Sequence, residues 1–407
     1  MGEGPMSSID RNILAPGGPG MSVPRGKRRF EDVTAVVRAL QPSYPVYCLR
    51  PQLLTDTARR FISMFPGTVL YAVKCNPHPA VLDALYRGGI RHFDTASLPE
   101  IAQICETYPD AHAYFMHPVK ARAAIRMTHS AYGIRHFVID HENELKKVLE
   151  ETGGKDIVVV VRLKPEDTGD ALYDLASKFG AGLDDAVALL KAAAAKGCET
   201  GLAFHIGSQC REPKVYRTAL ALAGDVIARA GVEVESLDVG GGFPAHYANA
   251  QVPPLENYMA EIRAGLKDIH LKPTVTVFSE PGRALVAGGC SLLTQVQLRK
   301  GDRLYINDGI YGSLSEMVQV NIRMPVRMIR LDGTASAKLR HFSLNGPTCD
   351  SLDVVPGTFE LPDDIREGDW IEIDQVGAYS NALATHFNGF YPETFVEVHD
   401  APPAAEG

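Results

Sequence analysis

Apolar residues recur along this chain in two rhythms, and the change from one to the other near residue 283 divides it. Short β-rich runs near 69–74, 90–94, 112–116, 136–139, 157–163, 201–206, 235–239 and 274–280 predict eight strands. Segments near 77–87, 97–107, 120–131, 142–151, 183–196, 214–230 and 255–268 lie between them with the spacing of helices. Segment 183–196 is the clearest: Asp184 and Asp185 open it, Ala186, Val187, Leu189 and Leu190 make its apolar face, and Gly197 follows its end. The run 157–163, IVVVVRL, is apolar on both faces, as parallel strands covered by helices are. Eight such beats over about 210 residues fit a TIM-like (β/α)8 barrel. An open doubly wound sheet is the alternative, disfavoured by the number of beats and by the lack of an early GxGxxG.

After Arg283 strand-like runs follow at 290–298, 303–307, 325–331, 338–344, 370–376 and 394–398, with turns between them and little helix. They predict a second, all-β domain, sandwich- or barrel-like, of the size a separate domain commonly has. The expected division is a flexible tail over 1–27, an N-terminal segment over 28–44 that could join the β domain, the barrel over 45–285, the β domain over 286–399 and a tail over 400–407. Within it, 30–40 reads as a short helix and 45–49 as a short strand leading into the barrel.

Barrel chemistry gathers at the carboxyl ends of the strands, and the residues there are unusual. Lys74 ends the buried run Val69–Val73, where an ammonium is costly to desolvate unless paired or used. Burial alone lowers a lysine pKa, which is one route to a nucleophilic amine that can form a Schiff base. Glu280 ends the run TVTVFSE, and a structural ion pair between it and Lys74 is as good a reading as a chemical one. Gly240, Gly241 and Gly242 follow a strand and, with Ser208 and Arg283, could cradle a dianionic phosphate. His205 ends GLAFHI, where a histidine is usually a core residue but could also stack on a heteroaromatic ring. Asp94 and Arg162, taken singly, read as structural. Together, a nucleophilic amine, a phosphate cradle, a carboxylate and a flat ring match the needs of pyridoxal 5′-phosphate.

Composition narrows the function further. Apolar content of 45% and charged content of 22% are ordinary for a globular protein. A net charge of −8 leaves no footprint for nucleic acid or an anionic membrane. No apolar run approaches the ~20 residues of a membrane span, and no secretory signal opens the chain. Seven scattered cysteines without a CxxC pair point to reduced thiols and a cytoplasmic protein, and no metal site is expected.

The motifs also resemble the fold type III pyridoxal-phosphate decarboxylases of the ornithine/diaminopimelate group, which share an alanine racemase-like two-domain fold. The resemblance runs from about residue 44 to 398: YAVKCN (71–76), FDTAS (93–97), KFG (178–180), FHIGSQ (204–209), LDVGGGFP (237–244), SEPGR (279–283), NDGIYGS (307–313), GPTCDSLD (346–353) and GAYSNALATHFNGF (377–390). GPTCD and FNGF are similar to the ornithine branch.

The resemblance implies that Lys74 bonds the cofactor, His205 stacks on its ring and Glu280 pairs with its pyridine nitrogen. Ser208, Gly242, Arg283 and Tyr379 would hold the phosphate beside Gly240, Gly241 and Gly282, with Asp94 and Arg162 in support. A homodimer would complete each site, Cys349 and Asp350 arriving from the partner subunit, Cys349 as a proton donor. Lys178 and Asp353 match an intersubunit ion pair, and Tyr311, Gly377 and Phe387 match interface positions. The implied activity is decarboxylation of a small L-amino acid with a basic or polar far end, as in polyamine biosynthesis. A modified amino acid is the alternative substrate; a racemase or a non-catalytic homologue is less favoured. One departure bears on the substrate. Where ornithine decarboxylases carry a Tyr-Asp-His run, whose aspartate binds the substrate's distal amine, this chain has Gln319-Val320-Asn321. Glu316 could stand in for the missing carboxylate if the loop is shifted.

Overall fold

The computed structural model describes residues 28–165, 178–320 and 322–400. The tail expected over 1–27, the tail expected over 400–407 apart from Asp400, and Asn321 lie outside the described residues.

Two short strands come first, β1 (Arg29–Phe30) and β2 (Val46–Leu49). The barrel then runs through β3 (Thr68–Ala72), β4 (His92–Thr95), β5 (His112–Phe115), β6 (His136–Ile139), β7 (Val158–Leu163), β8 (Glu199–Phe204), β9 (Ser236–Asp238) and β10 (Thr276–Ser279). All eight pair in parallel, and β10 closes on β3 through Phe278 opposite Thr68. Helices between the strands bury their apolar faces on the outside. The helix Leu98–Thr107 begins where its sequence says it should: Ser97 Oγ accepts from Glu100 N–H, and the Glu100 carboxylate accepts from Ala96 N–H.

The lumen is dry. Leu70, Tyr114, Met116, Val138, Val158, Val160, Ala203 and Phe278 pack together there, all at most 7% exposed. Because side chains alternate faces along a strand, each inward row can be followed to its carboxyl end. Val158 and Val160 lead to Arg162, Ala203 leads to His205, and Phe278 leads to Glu280. The apolar filling thus delivers polar residues to one rim of the barrel.

The second domain contains β11 (Cys290–Lys300), β12 (Arg303–Ile306), β13 (Val326–Ile329), β14 (Leu339–Asn345), β15 (Phe359–Pro362), β16 (Trp370–Ile373) and β17 (Thr394–Val398). Its sheet follows the order β1-β17-β2-β11-β12-β14-β15, with β16 bridging β11 and β13. The strand expected to lead into the barrel, Val46–Leu49, therefore belongs to this sheet, between β11 and β17. The helix Val33–Leu40 packs beside it: Val33, Val36 and Val37 bury against Val46, Cys48, Trp370 and Val396. Several elements have no counterpart in the sequence pattern, β1 and the four-residue helices Arg283–Val286 and Glu316–Gln319 among them. The helix Pro51–Met64 dilutes its buried stripe of Leu54 and Phe61 with Thr55 and Ala58, and β15 is only four residues long. Among the described residues no helix is long and apolar enough to cross a membrane.

Arg50 joins β2 to the neighbouring strands. Its side chain is 1% exposed and its guanidinium reaches Glu372 at 3.1 Å, Ser291 at 3.1 Å and Asp400 at 3.2 Å. Removing it would leave the buried Asp374, 3.7 Å from the Arg50 guanidinium, without its counter-charge and Glu372 with Arg327 alone. Arg50→Met is expected to lower unfolding free energy by about 3–5 kcal/mol, read as a reduced midpoint in guanidinium denaturation.

Candidate active site

Lys74 sits on a single 3-10 turn, Val73–Cys75, where the chain leaves β3. Its Nζ donates to Asp94 Oδ2 at 2.5 Å, with the lysine side chain 41% exposed and the aspartate 2% exposed. The ion pair open on the residues alone is thus made with Asp94, at the end of the neighbouring strand, and not with Glu280. Its pKa also moves opposite to expectation. Burial pushes the ammonium down, but the Asp94 and Glu280 carboxylates and Tyr379 outweigh it, and the pKa lies above the ordinary lysine value. An amine so held is a stored acid, and Asp94 is the group placed to take its proton.

Across the rim Glu280 and Asp238 are both buried. Burial first, then the negative charge of Asp94, raises both carboxyls: Glu280, with the Asp238 charge adding to the rise, well above the usual range, and Asp238 to about 7 although hydrogen bonds with the Gly240 N–H and Glu280 pull it down. Gly240 N–H donates to Asp238 Oδ1 at 2.7 Å, and Glu280 N–H donates to Gly240 O at 2.8 Å, so the two acids and the glycine turn form one unit. Asp238 was missed in the sequence. Its signal was that of Glu280: a carboxylate closing a buried strand, in the motif LDVGGG.

His205 is neutral. Its Nδ1 accepts from Gly207 N–H at 3.0 Å, and burial, followed by the Arg162 and Lys74 charges, pushes its pKa well below the ordinary value. Arg162 lies with its guanidinium 5.6 Å from the Phe179 ring.

The glycine turn is required by space as well as by conformation. Gly240 and Gly242 have φ of +70° and +104°. A Cβ on Gly240 would lie 2.1 Å from Phe204 O, and one on Gly241 would lie 2.6 Å from Glu280 O and 2.9 Å from His205 Nε2. The turn therefore admits no side chain, and Gly242 lies against the backbone of Gly207, next to Ser208. The Arg283 Nη2 donates to Ser208 Oγ at 3.3 Å, Nη1 donates to Tyr247 Oη at 2.8 Å, and the guanidinium lies 5.2 Å from the Tyr379 ring. Tyr379 holds a left-handed φ of +54° and donates its N–H to Cys75 O, tying the anion side to the lysine turn. Gly282 serves packing: a Cβ there would meet Cys75 Cβ at 2.9 Å.

The pyridoxal binding domain of the pyridoxal-dependent decarboxylases matches residues 52–287. The chain belongs to that family. A lysine/ornithine decarboxylase of Selenomonas ruminantium is 32% identical over 351 residues, covering 83% of this chain and 85% of the relative. An ornithine decarboxylase of Schizosaccharomyces pombe is 34% identical over 342 residues, covering 79% and 75%. Among solved structures, the arginine decarboxylase of Paramecium bursaria Chlorella virus aligns with a TM-score of 0.81 and 27% identity over 90% of this chain and 99% of that one. The family, the two-domain fold and the pyridoxal cofactor expected from the motifs all stand. The residues fit that cofactor. They offer an amine, a pair of acids, a neutral flat ring, a glycine cradle that no Cβ can fill, and a buried arginine whose Nε has no hydrogen-bond partner among the described residues.

The remaining candidates form a second group, on the β domain. Tyr311 Oη donates to Asp350 Oδ2 at 2.5 Å, and the Tyr311 and Phe387 rings lie 4.8 Å apart. Cys349 is exposed, and its N–H and thiol both reach Asn388 Oδ1, at 3.1 and 3.2 Å. Leu352 (71% exposed), Val354, Phe387 and Phe390 surround it as exposed apolar surface. Asp353 is 3% exposed and accepts from Ile310 N–H and from the N–H and hydroxyl of Thr348 in its own chain, while Lys178 lies over the Phe179 ring. Gly377 lies at the junction of the two domains, where a Cβ would meet Val286 O. Val320 is 3% exposed within the core.

The raised carboxyls have a stability signature. Asp238 titrates near 3.8 when unfolded and near 7 when folded, so the folded form binds more protons between those values and stability falls as pH rises through that window. In cofactor-free protein, Asp238→Asn is expected to flatten that fall, measured by guanidinium unfolding at pH steps between about 4 and 7.

Proposed function

We propose that the protein is a homodimeric decarboxylase of an L-amino acid with a polar or basic far end, its sites shared across the dimer interface. The observation that carries this reading is the rim itself: Lys74 paired with Asp94, facing the Glu280–Asp238 acids and the Arg283 cradle. Pyridoxal 5′-phosphate, when bound, supplies the electron sink that lets a carboxylate leave an α-carbon as CO2. Arg283, Ser208 and the N–H groups of the glycine turn would grip its phosphate. Glu280 and Asp238 would keep a ring nitrogen protonated, their raised pKa values making them ready proton holders at neutral pH. A carboxyl in that position favours loss of CO2 over racemisation, because a protonated ring is the better sink. Asp94 would hold and return the Lys74 ammonium proton.

The second group supports the dimer. Cys349 and Asp350 project from an exposed apolar surface on the β domain, as residues completing a partner's site would. The Asp350 carboxyl is held below its usual range by the Leu352 N–H and the Tyr311 hydroxyl, so it is ionised and able to receive a substrate cation. Val320 brings no carboxylate, and Glu316 is buried against Arg283, so neither supplies the second acidic contact. Losing one carboxylate from a distal ammonium costs about 2–5 kcal/mol. The preferred substrate is therefore an amino acid whose far end carries hydrogen-bonding groups beyond a bare ammonium. The seven cysteines, scattered without a CxxC pair, support a reducing, cytoplasmic setting.

A screen of ornithine, lysine, arginine, diaminopimelate and their substituted relatives for CO2 release tests the substrate. The expected outcome is a higher kcat/KM for a substituted or guanidino far end than for ornithine; no release from any of them would overturn the decarboxylase reading. Cys349→Ala and Lys74→Ala chains are each expected to be inactive. Mixed in equal amounts they should recover about a quarter of wild-type activity by random reassortment around a two-fold axis; a mixture that stays inactive rules out shared sites.

A further inference from the structure

Glu316 grips the residue that the cofactor phosphate needs. Its two carboxylate oxygens meet both terminal nitrogens of Arg283, Oε2 at 3.0 Å from Nη1 and Oε1 closer still to Nη2. The two side chains are 3% and 2% exposed, and the Tyr247 hydroxyl takes a further Nη1 hydrogen. A guanidinium fork fits a carboxylate and a phosphate in the same way, through two parallel N–H···O bonds. Arg283 therefore already carries a full counter-anion in the protein alone. The anion that holds it lies on a helix of only four residues, Glu316–Gln319, directly after the NDGIYGS loop.

We infer that Glu316 is a positioning residue that serves as the resident anion of the phosphate cradle. It fixes and neutralises Arg283 in the cofactor-free protein, and an arriving phosphate must compete with it for the same nitrogens. Two consequences oppose each other. Glu316 stabilises the empty protein, because a buried guanidinium without a counter-charge is strongly unfavourable. It also caps phosphate affinity, because part of the attraction Arg283 can offer is already spent on a carboxylate. The inference rests on the reading of this cradle as the pyridoxal 5′-phosphate site.

The test uses full-length protein freed of cofactor, with pyridoxal 5′-phosphate and inorganic phosphate as separate probes. Glu316→Gln keeps the shape and removes the charge. The cofactor-free variant is expected to melt at a lower temperature than wild type while binding both probes about tenfold more tightly, the gain expected when a competing charge is removed. Affinity is read by absorbance titration for the cofactor and by the shift in melting temperature for phosphate. Tyr247→Phe, which removes a neutral contact to the same nitrogen, should bring no such gain. A lower melting temperature with unchanged or weaker binding of both probes means that Glu316 is merely structural and overturns the inference. Should Glu316→Gln fail to fold, Glu316→Asp keeps the charge but draws the carboxylate one methylene back from the guanidinium; tighter phosphate binding is again expected, and unchanged or weaker binding overturns the idea. Wild-type protein that binds neither probe would instead overturn the assignment of the cradle.

Discussion

A closed parallel barrel has a lumen that must be filled with side chains, and in this protein the filling is apolar from Leu70 to Phe278. Charge has no place inside that column. Each inward row can turn polar only where it reaches the rim, so Arg162, His205 and Glu280 emerge together at the carboxyl ends of their strands. Lys74 joins them from the turn after β3, and Asp94 from the end of β4. The chemistry of the site follows from that crowding. Three carboxyls, a lysine and two arginines share a small region of low dielectric, and each sets the protonation of the others.

The resulting protonation pattern is specific to each group. Asp94 takes the lysine as its partner, and its charge adds to burial in raising Glu280 and Asp238 while the lysine remains charged. His205 is surrounded by cations and hydrogen-bonded at Nδ1 as an acceptor, so it stays neutral and flat. On the anion side the glycine turn excludes any side chain, and Arg283 is held between Glu316, Tyr247 and Ser208. The β domain supplies a second set of groups, Cys349, Asp350, Tyr311 and Phe387, on a surface whose apolar character suits a second copy of the chain.

Much of this could be read from local pattern. The eight strands of the barrel fall close to the apolar runs, because a buried parallel strand needs a short continuous apolar segment and leaves a mark that no neighbour can erase. The change of rhythm after Arg283 marked the second domain for a similar reason. The helix Pro51–Met64 escaped notice because its buried face is made of Thr55 and Ala58 as much as of Leu54 and Phe61. Val46–Leu49 was legible as a strand, but its sheet was not, since its partners lie in β11 and β17, more than two hundred residues away.

The chain by itself determined where the barrel strands run, which polar residues close them, and that a glycine turn and an arginine stand ready for an anion; apolar runs, alternation and glycine requirements are all local properties. Only the tertiary structure decided that Lys74 pairs with Asp94, that its pKa rises, that Asp238 shares the task of Glu280, and that Glu316 belongs to Arg283. Those outcomes depend on distances between groups brought together by barrel closure and by the docking of the β domain. Coulomb interactions and desolvation are set by such through-space distances, and spacing along the chain does not encode them.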